Sequence, residues 1–142
     1  GFQPGMELFD IIVASSASTD SNFLEQYNLP GTYAPTASWK LLEATYRQAQ
    51  EQQLDIHVGN ILSSDVFYNF KDDVNARWTR MGVLGVEMES AGLYATAAEA
   101  GVDALGIFTV SDVIGSGAKA TAEQRERAFT QMMELALPLA AV

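Results

Sequence analysis

The chain has 142 residues, of which 48% are hydrophobic and 18% charged, and it contains no cysteine. This composition predicts a single globular domain over residues 1–142 and excludes a disordered chain, a disulfide scaffold and cysteine-based catalysis. The net charge of −10 repels phosphate backbones, so we expect no nucleic-acid partner. No apolar run is long enough to cross a membrane and no signal peptide is visible. The lack of cysteine fits a cytoplasmic protein, which is the location that we expect.

The first half of the chain predicts two strands separated by a loop and a helix. A strand is expected within residues 7–15, where Ile11-Ile12-Val13 form an apolar, β-branched run. Residues 16–35 are rich in Ser, Thr, Asn, Gly and Pro, which indicates a loop. Apolar residues recur at helical spacing over 37–53 and predict a helix. A second strand is expected over 55–63.

The middle of the chain predicts a short helix, a third strand and a further helix. Residues 72–81 have helical spacing, with Asp72 and Asp73 at the start, where the helix dipole favours anions. The third strand is expected over 83–88. An alanine-rich helix follows over 91–100.

The last third of the chain predicts a fourth strand, a loop and a long helix. Gly101 is expected to close the preceding helix. The strand covers 103–111 and a glycine-rich loop covers 114–120. The final helix is expected over 121–139, opened by a capping box in which Thr121 is followed three residues later by a glutamine.

Alternation of strands and helices indicates an α/β fold with a mainly parallel sheet. In open sheets of this class, ligands bind beyond the carboxyl ends of the strands. Two such ends carry acidic side chains: the Val86-Glu87-Met88-Glu89 segment and the Ser111-Asp112 pair. Burying an unpaired charge is costly, so these carboxylates are not expected in the core. Helix capping remains an alternative role for Glu89, and a turn role remains one for Asp112.

One continuous stretch resembles the signature of the nucleoside phosphorylase and nucleosidase superfamily. It reads VEMESAGLYATAAEAGVDALGIFTVSD, from Val86 to Asp112. The signature places an acid-Met-acid-small-Ala run on a strand-to-helix turn, followed by a helix, a strand and a Ser-Asp pair. Three further segments resemble the bacterial-type, hexameric purine nucleoside phosphorylases: TDSN at 19–22, HVGNILSSDVFY at 57–68 and TAEQRERAFTQMMELAL at 121–137.

The resemblance implies a three-layer αβα sandwich with a mixed, mainly parallel central sheet, as in the phosphorylase family. It also implies that the family's N-terminal strands and phosphate-binding loops lie before Gly1 and that the domain is N-terminally incomplete. We therefore expect a neighbouring subunit, a second fragment or a longer native chain to complete the site. A homo-oligomer, and a hexamer by resemblance, is the expected assembly.

The activity implied is phosphorolysis of a purine nucleoside to the free base and ribose 1-phosphate. By resemblance, Asp112 is the general acid that protonates the imidazole nitrogen of the leaving base. Arg125 is its partner, which approaches as its helix closes and promotes the proton transfer. Arg127 is an alternative register for that arginine, and a plain surface position is the alternative role for Arg125.

The same resemblance distributes the substrate-binding roles. Glu89 would accept hydrogen bonds from the ribose hydroxyls, and Met88 would pack against the sugar. Glu87 belongs to the same binding segment without an assigned role. Phe67 would stack on the purine and Val86 would complete the base slot.

Ser111 would contact the base or orient Asp112. Without the resemblance, Phe67 and Val86 would be assigned to the core, and His57 to a packed strand. Trp39 and Trp78 have helical spacing and are expected in the core or at an interface.

No cluster of His and carboxylates has metal-ligand spacing, so we expect no metal. The resemblance implies no cofactor, with inorganic phosphate as co-substrate. The chain departs from the hexameric branch at Val113, where that branch often has histidine, and in the small Gly115–Ala118 loop. Two other functions stay open from the sequence. One is a hydrolytic purine nucleosidase of the same superfamily, and the other is an inactive binding or assembly fragment.

Overall fold

A mixed four-stranded sheet forms the centre of the molecule. The computed structural model describes residues 1–67 and 73–142, except for the side chains of residues 127 and 128. The strand order is β3-β2-β1-β4. The strands are β1 (Ile11–Thr19), β2 (Ile56–Ser63), β3 (Val86–Glu87) and β4 (Gly106–Thr109). The β1–β2 and β2–β3 pairs are parallel, whereas β4 runs antiparallel to β1.

The remaining elements surround this sheet. The helices are α1 (Trp39–Glu51), α2 (Val74–Arg80), α3 (Ser90–Ala100), α4 (Ala122–Ala128) and α5 (Thr130–Ala136), with 3₁₀ helices at Phe23–Tyr27 and Leu137–Ala141. A small antiparallel hairpin joins β5 (Asp112–Val113) to β6 (Ala118–Lys119). Among the residues that the structure describes, no helix combines the length and the apolar character needed to cross a bilayer.

Strand β1 is buried on both faces, which is why its first half is continuously apolar. On one face, Ile11 and Val13 pack in a cluster with Ala49 of α1 and Leu135 of α5. On the other face, Ile12 belongs to a cluster that includes Ala91 and Tyr94 of α3. Helices therefore cover both sides of the sheet. The predicted α/β class and three-layer αβα arrangement, with a mixed and mainly parallel sheet, are confirmed.

Tyr94 ties three elements together at the centre of the fold. Its side chain is only 1% exposed. The phenol donates to the Ala14 carbonyl of β1 at 2.5 Å and accepts from the Gly106 amide of β4 at 2.9 Å. Gly106 allows this close approach, because a Cβ there would lie 2.7 Å from the Phe108 ring and 3.2 Å from the Tyr94 hydroxyl.

The prediction of a loop over residues 16–35 was wrong at its start, because β1 continues to Thr19. The register shifts between Ala14 and Ser16, where a bulge inserts one residue. Beyond the bulge, the Asn60 side chain of β2 accepts from the Ser16 hydroxyl and the Ser18 amide and donates to the Ser18 hydroxyl. These bonds satisfy the polar groups of Ser16 and Ser18 within the strand, although the composition of this segment predicts a loop.

The predicted capping box is present, but the single final helix over 121–139 was wrong. The Thr121 hydroxyl accepts from the Gln124 amide at 3.2 Å, and the Gln124 side chain accepts from the Thr121 amide at 2.9 Å. A turn at Phe129 then separates α4 from α5. The chain ends in a 3₁₀ helix that contains Pro138, which has no amide hydrogen for an α-helical bond.

Other boundaries also differ from expectation. The first strand begins at Ile11, and the third strand, predicted over 83–88, is limited to β3 (Val86–Glu87). The fourth strand is limited to β4, and the predicted 114–120 loop contains β6 as the returning arm of the hairpin. The helix predicted over 72–81 is α2, which begins at Val74; Asp72 lies outside the described residues. Gly101 closes α3 as predicted, in the left-handed conformation (φ 66°).

We expect Tyr94→Phe to destabilise the fold by about 1–3 kcal/mol, because the Ala14 carbonyl and the Gly106 amide would both lose a buried partner. The free energy of unfolding in urea measures this change. Tyr46→Phe is the matched control, because Tyr46 is exposed on α1. Equal stability of the two variants would contradict a structural role for the Tyr94 hydroxyl.

Tyr94 also makes the stability of the fold depend on pH. Burial raises the pKa of Tyr94 above its ordinary value of 10.0, against the opposing hydrogen bond from Gly106. The folded protein thus keeps a proton that the unfolded chain releases, so this contribution is complete below pH 10 and declines as the pH rises further. The stability difference between wild type and Tyr94→Phe should therefore shrink from pH 9 to pH 11. A constant difference across that range would refute the linkage.

Candidate active site

A cavity of about 520 Å³ brings together most of the residues predicted to bind substrate. Eight residues were predicted as catalytic or substrate-binding. Six of them line the cavity: Phe67, Val86, Glu87, Met88, Ser111 and Asp112. Apolar side chains from the sheet and adjoining segments form much of the wall, among them Ile12, Ile61, Phe108 and Val110. The other two predicted residues do not line the cavity. Glu89 follows Met88 in the sequence, and Arg125 contacts Asp112. The cavity therefore combines an apolar slot with two carboxylates.

Two acidic segments reach this cavity from strands of opposite direction. Glu87 ends β3, which is parallel to β2, whereas Asp112 follows β4, which is antiparallel to β1. Each segment follows the carboxyl end of its own strand, as predicted, and both line one cavity although β4 runs opposite to β1.

Asp112 is held by two donors on the same carboxylate oxygen. The Ser111 hydroxyl donates to Oδ2 at 2.7 Å, and the Arg125 guanidinium donates to Oδ2 at 3.3 Å. Oδ1 accepts no hydrogen bond from the residues that the structure describes. Both partners of the ion pair are partly exposed, at 46% for Arg125 and 36% for Asp112. The predicted pairing of these two residues is thus present in the structure, with one carboxylate oxygen available.

Arg125 reaches Asp112 because the capping box fixes the start of α4. Its amide donates to the Thr121 carbonyl at 2.9 Å, within the first turn of the helix. The side chain of Arg127, the alternative register, lies outside the described residues. Tyr68, the last residue of the HVGNILSSDVFY segment, also lies outside them.

Glu87, rather than Glu89, caps helix α3. Its Oε2 accepts from the amides of Glu89 and Ser90, each at 2.8 Å. Its Oε1 accepts from the Ser63 hydroxyl, which in turn accepts from the Ala91 amide at 2.8 Å. The Glu87 carboxylate is therefore occupied by protein donors and fixes the turn between β3 and α3.

This arrangement leaves Glu89 without a capping role. Glu89 lies at the N-cap of α3, but its side chain makes no capping hydrogen bond; among the residues that the structure describes, it accepts only from the Met88 amide at 3.2 Å. The capping alternative for Glu89 was therefore wrong. Ser63 was missed by sequence reasoning, because nothing local marks a serine whose partners lie 24 and 28 residues away.

The core alternative for the proposed base slot was also wrong. Phe67 is 75% exposed and Val86 38% exposed, and both line the cavity. Met88 is partly exposed beside them. Exposed apolar side chains around a cavity are typical of a ligand site.

The other singled-out residues lie away from the cavity lining. His57 contacts Asp10 at 3.1 Å. Trp39 is 73% exposed, which excludes it from the core, and Trp78 packs against a small cluster that includes Phe2. No group of three metal-ligating side chains occurs within residues 1–67 and 73–142.

The whole chain matches one known protein family. The sequence pattern of the phosphorylase superfamily matches residues 1–141. The chain therefore belongs to the phosphorylase superfamily.

Several curated relatives carry the same name. The chain is 48% identical over 139 residues to a DeoD-type purine nucleoside phosphorylase of Thermoanaerobacter sp. (strain X514). It is 49% identical over 138 residues to that of Clostridium beijerinckii, and 46% identical over 139 residues to that of Geobacillus kaustophilus. These alignments cover 96–97% of this chain but 58–59% of the relatives' length. The resemblance to bacterial-type purine nucleoside phosphorylases is confirmed.

We expect Glu87→Ala to destabilise the protein by about 0.5–2 kcal/mol, because two amides of the first turn of α3 would lose their acceptor. Glu99→Ala is the matched control, since Glu99 is exposed near the end of the same helix. Thermal or urea unfolding of the two variants measures the effect. A Glu87 variant no less stable than the Glu99 variant would show that the cap contributes nothing.

Proposed function

We propose that this chain forms the base- and ribose-binding part of an enzyme that cleaves purine nucleosides with phosphate. The products are the free purine and ribose 1-phosphate, or deoxyribose 1-phosphate from deoxynucleosides. The observation that carries this proposal is Asp112, which lines an apolar cavity with one carboxylate oxygen unbonded and the other held by Ser111 and Arg125. Relatives that are 46–49% identical are named purine nucleoside phosphorylases.

Asp112 is proposed as the general acid. A purine leaves poorly as an anion, and protonation of its imidazole nitrogen lowers the barrier to breaking the glycosidic bond. The available Oδ1 is suited to face that nitrogen, because Oδ2 is engaged by its two protein donors. After the transfer, Asp112 is a carboxylate, and the hydrogen bond from Arg125 stabilises that charge.

The Val86–Glu89 segment is proposed to hold the nucleoside. Phe67 and Val86 offer apolar surface to the flat base, and Met88 packs against the sugar. Glu89 accepts hydrogen bonds from the ribose hydroxyls, and its negative charge stabilises the positive charge that develops on the sugar. Glu87 is proposed to act as a positioning residue, because its carboxylate fixes the turn that carries Met88 and Glu89.

Inorganic phosphate is the proposed co-substrate, without a further cofactor. Because the relatives are longer than this chain, we place the phosphate ligands in parts of the protein beyond these 142 residues or in a neighbouring subunit. A cytoplasmic homo-oligomer, with a hexamer as the expected form, is the corresponding assembly.

The deciding measurement is the release of free base from inosine and adenosine by the complete native protein, with and without phosphate. We expect release only with phosphate, and a loss of about 10²–10⁴-fold in kcat for adenosine in Asp112→Asn, because the general acid is removed. Asp55→Asn is the control, since Asp55 is exposed and does not line the cavity.

Other outcomes of this assay would contradict the proposal. Release that does not depend on phosphate, with free ribose as the product, would indicate a nucleosidase. No release from a folded sample would indicate a binding or assembly protein. Full activity of Asp112→Asn would remove Asp112 from the acid role while leaving the reaction intact.

A further inference from the structure

A lysine lies directly across the hairpin from the proposed acid. Lys119 of β6 pairs with Asp112 of β5 in the antiparallel register. Side chains of directly paired residues project from the same face of a hairpin. Both residues line the 520 Å³ cavity, and of the described residues that line it, Lys119 is the one with a cationic side chain.

The other donors around Asp112 are engaged with it or lie outside the cavity lining. The Ser111 hydroxyl is donated to Asp112, and the Gly1 ammonium donates to the Asp112 carbonyl at 2.6 Å. Arg125 contacts the same oxygen as Ser111 and does not line the cavity. Val113 is apolar and buried. Lys119 is exposed, and its ammonium forms no hydrogen bond or ion pair with the residues that the structure describes. The ammonium of Lys119 is therefore a side-chain donor of this hairpin that remains available to a ligand in the cavity.

The chemistry of a purine determines what this ammonium would meet. The imidazole nitrogen N7 and the substituent on C6 lie side by side on one edge of the ring. A group next to the residue that faces N7 is thus placed to contact the 6-substituent. A 6-oxo group accepts hydrogen bonds, whereas a 6-amino group donates them. An ammonium has three donors and no acceptor, so it matches the first and opposes the second.

We propose that Lys119 is a specificity-determining residue that favours 6-oxopurines by donating a hydrogen bond to the 6-oxygen. This inference rests on the proposed function, because the orientation of the base follows from Asp112 facing N7.

Two measurements on the complete native protein test this role separately from the reaction. The first is the dissociation constant of hypoxanthine and of adenine by calorimetric titration. The second is kcat/KM for inosine and adenosine with phosphate. Both are compared among wild type, Lys119→Met, Lys119→Arg and Lys40→Met. The last variant controls for the loss of one positive charge, because Lys40 is exposed on α1 and does not line the cavity.

In Lys119→Met we expect hypoxanthine binding to weaken about tenfold, while adenine binding stays unchanged or strengthens, because a charge-assisted hydrogen bond is lost for one base only. Lys119→Arg should retain the preference and Lys40→Met should not alter it. The ratio of kcat/KM for inosine over adenosine should fall in parallel in Lys119→Met.

The outcomes separate the two proposals. Equal changes for both bases in Lys119→Met, or no change, would overturn the role of Lys119 even if phosphorolysis proceeds. A selective loss of hypoxanthine binding in a protein that catalyses no phosphorolysis would sustain the role of Lys119 and reject the proposed reaction.

Discussion

The candidate site depends on the hydrogen bonds that the Glu87 carboxylate accepts. This carboxylate joins β2, through Ser63, to the first turn of α3, through two amides. The residues on either side of it, Val86 and Met88, are thereby held at the cavity, and the Glu89 side chain takes no part in the helix cap. A charge-assisted cap of this kind is stronger than one between neutral groups, and here it fixes the Val86–Glu89 segment as well as a helix.

Asp112 is organised in a different way. Its supports come from the adjacent residue and from a short helix, and the ion pair with Arg125 is partly exposed to solvent. A contact of this type contributes little to global stability. The Val86–Glu89 segment is thus held by several hydrogen bonds to Glu87 and Ser63, whereas Asp112 is held through a contact that can form and break at low energetic cost.

Local patterns predicted the elements whose causes are local. The apolar run at Ile11–Val13 predicted the buried half of β1, and the Thr121 capping box predicted the start of α4, because each signal lies within a few residues. The polar continuation of β1 depends on Asn60, more than 40 residues away, and could not be read from composition. For the same reason, Ser63 and Lys119 gained their positions only through strand pairing, whereas the resemblance supplied Asp112 and Arg125 as a pair.

Phe108 forms part of the cavity wall and also covers Gly106, whose amide is bonded to Tyr94. One side of the ring faces the cavity, and the other side leaves no room for a methyl group on Gly106. The shape of the cavity and the packing of the core therefore cannot vary independently at this position. Substitutions far from any substrate, if they displace this ring, would alter which molecules fit, so changes in substrate preference need not originate among the residues that touch the substrate.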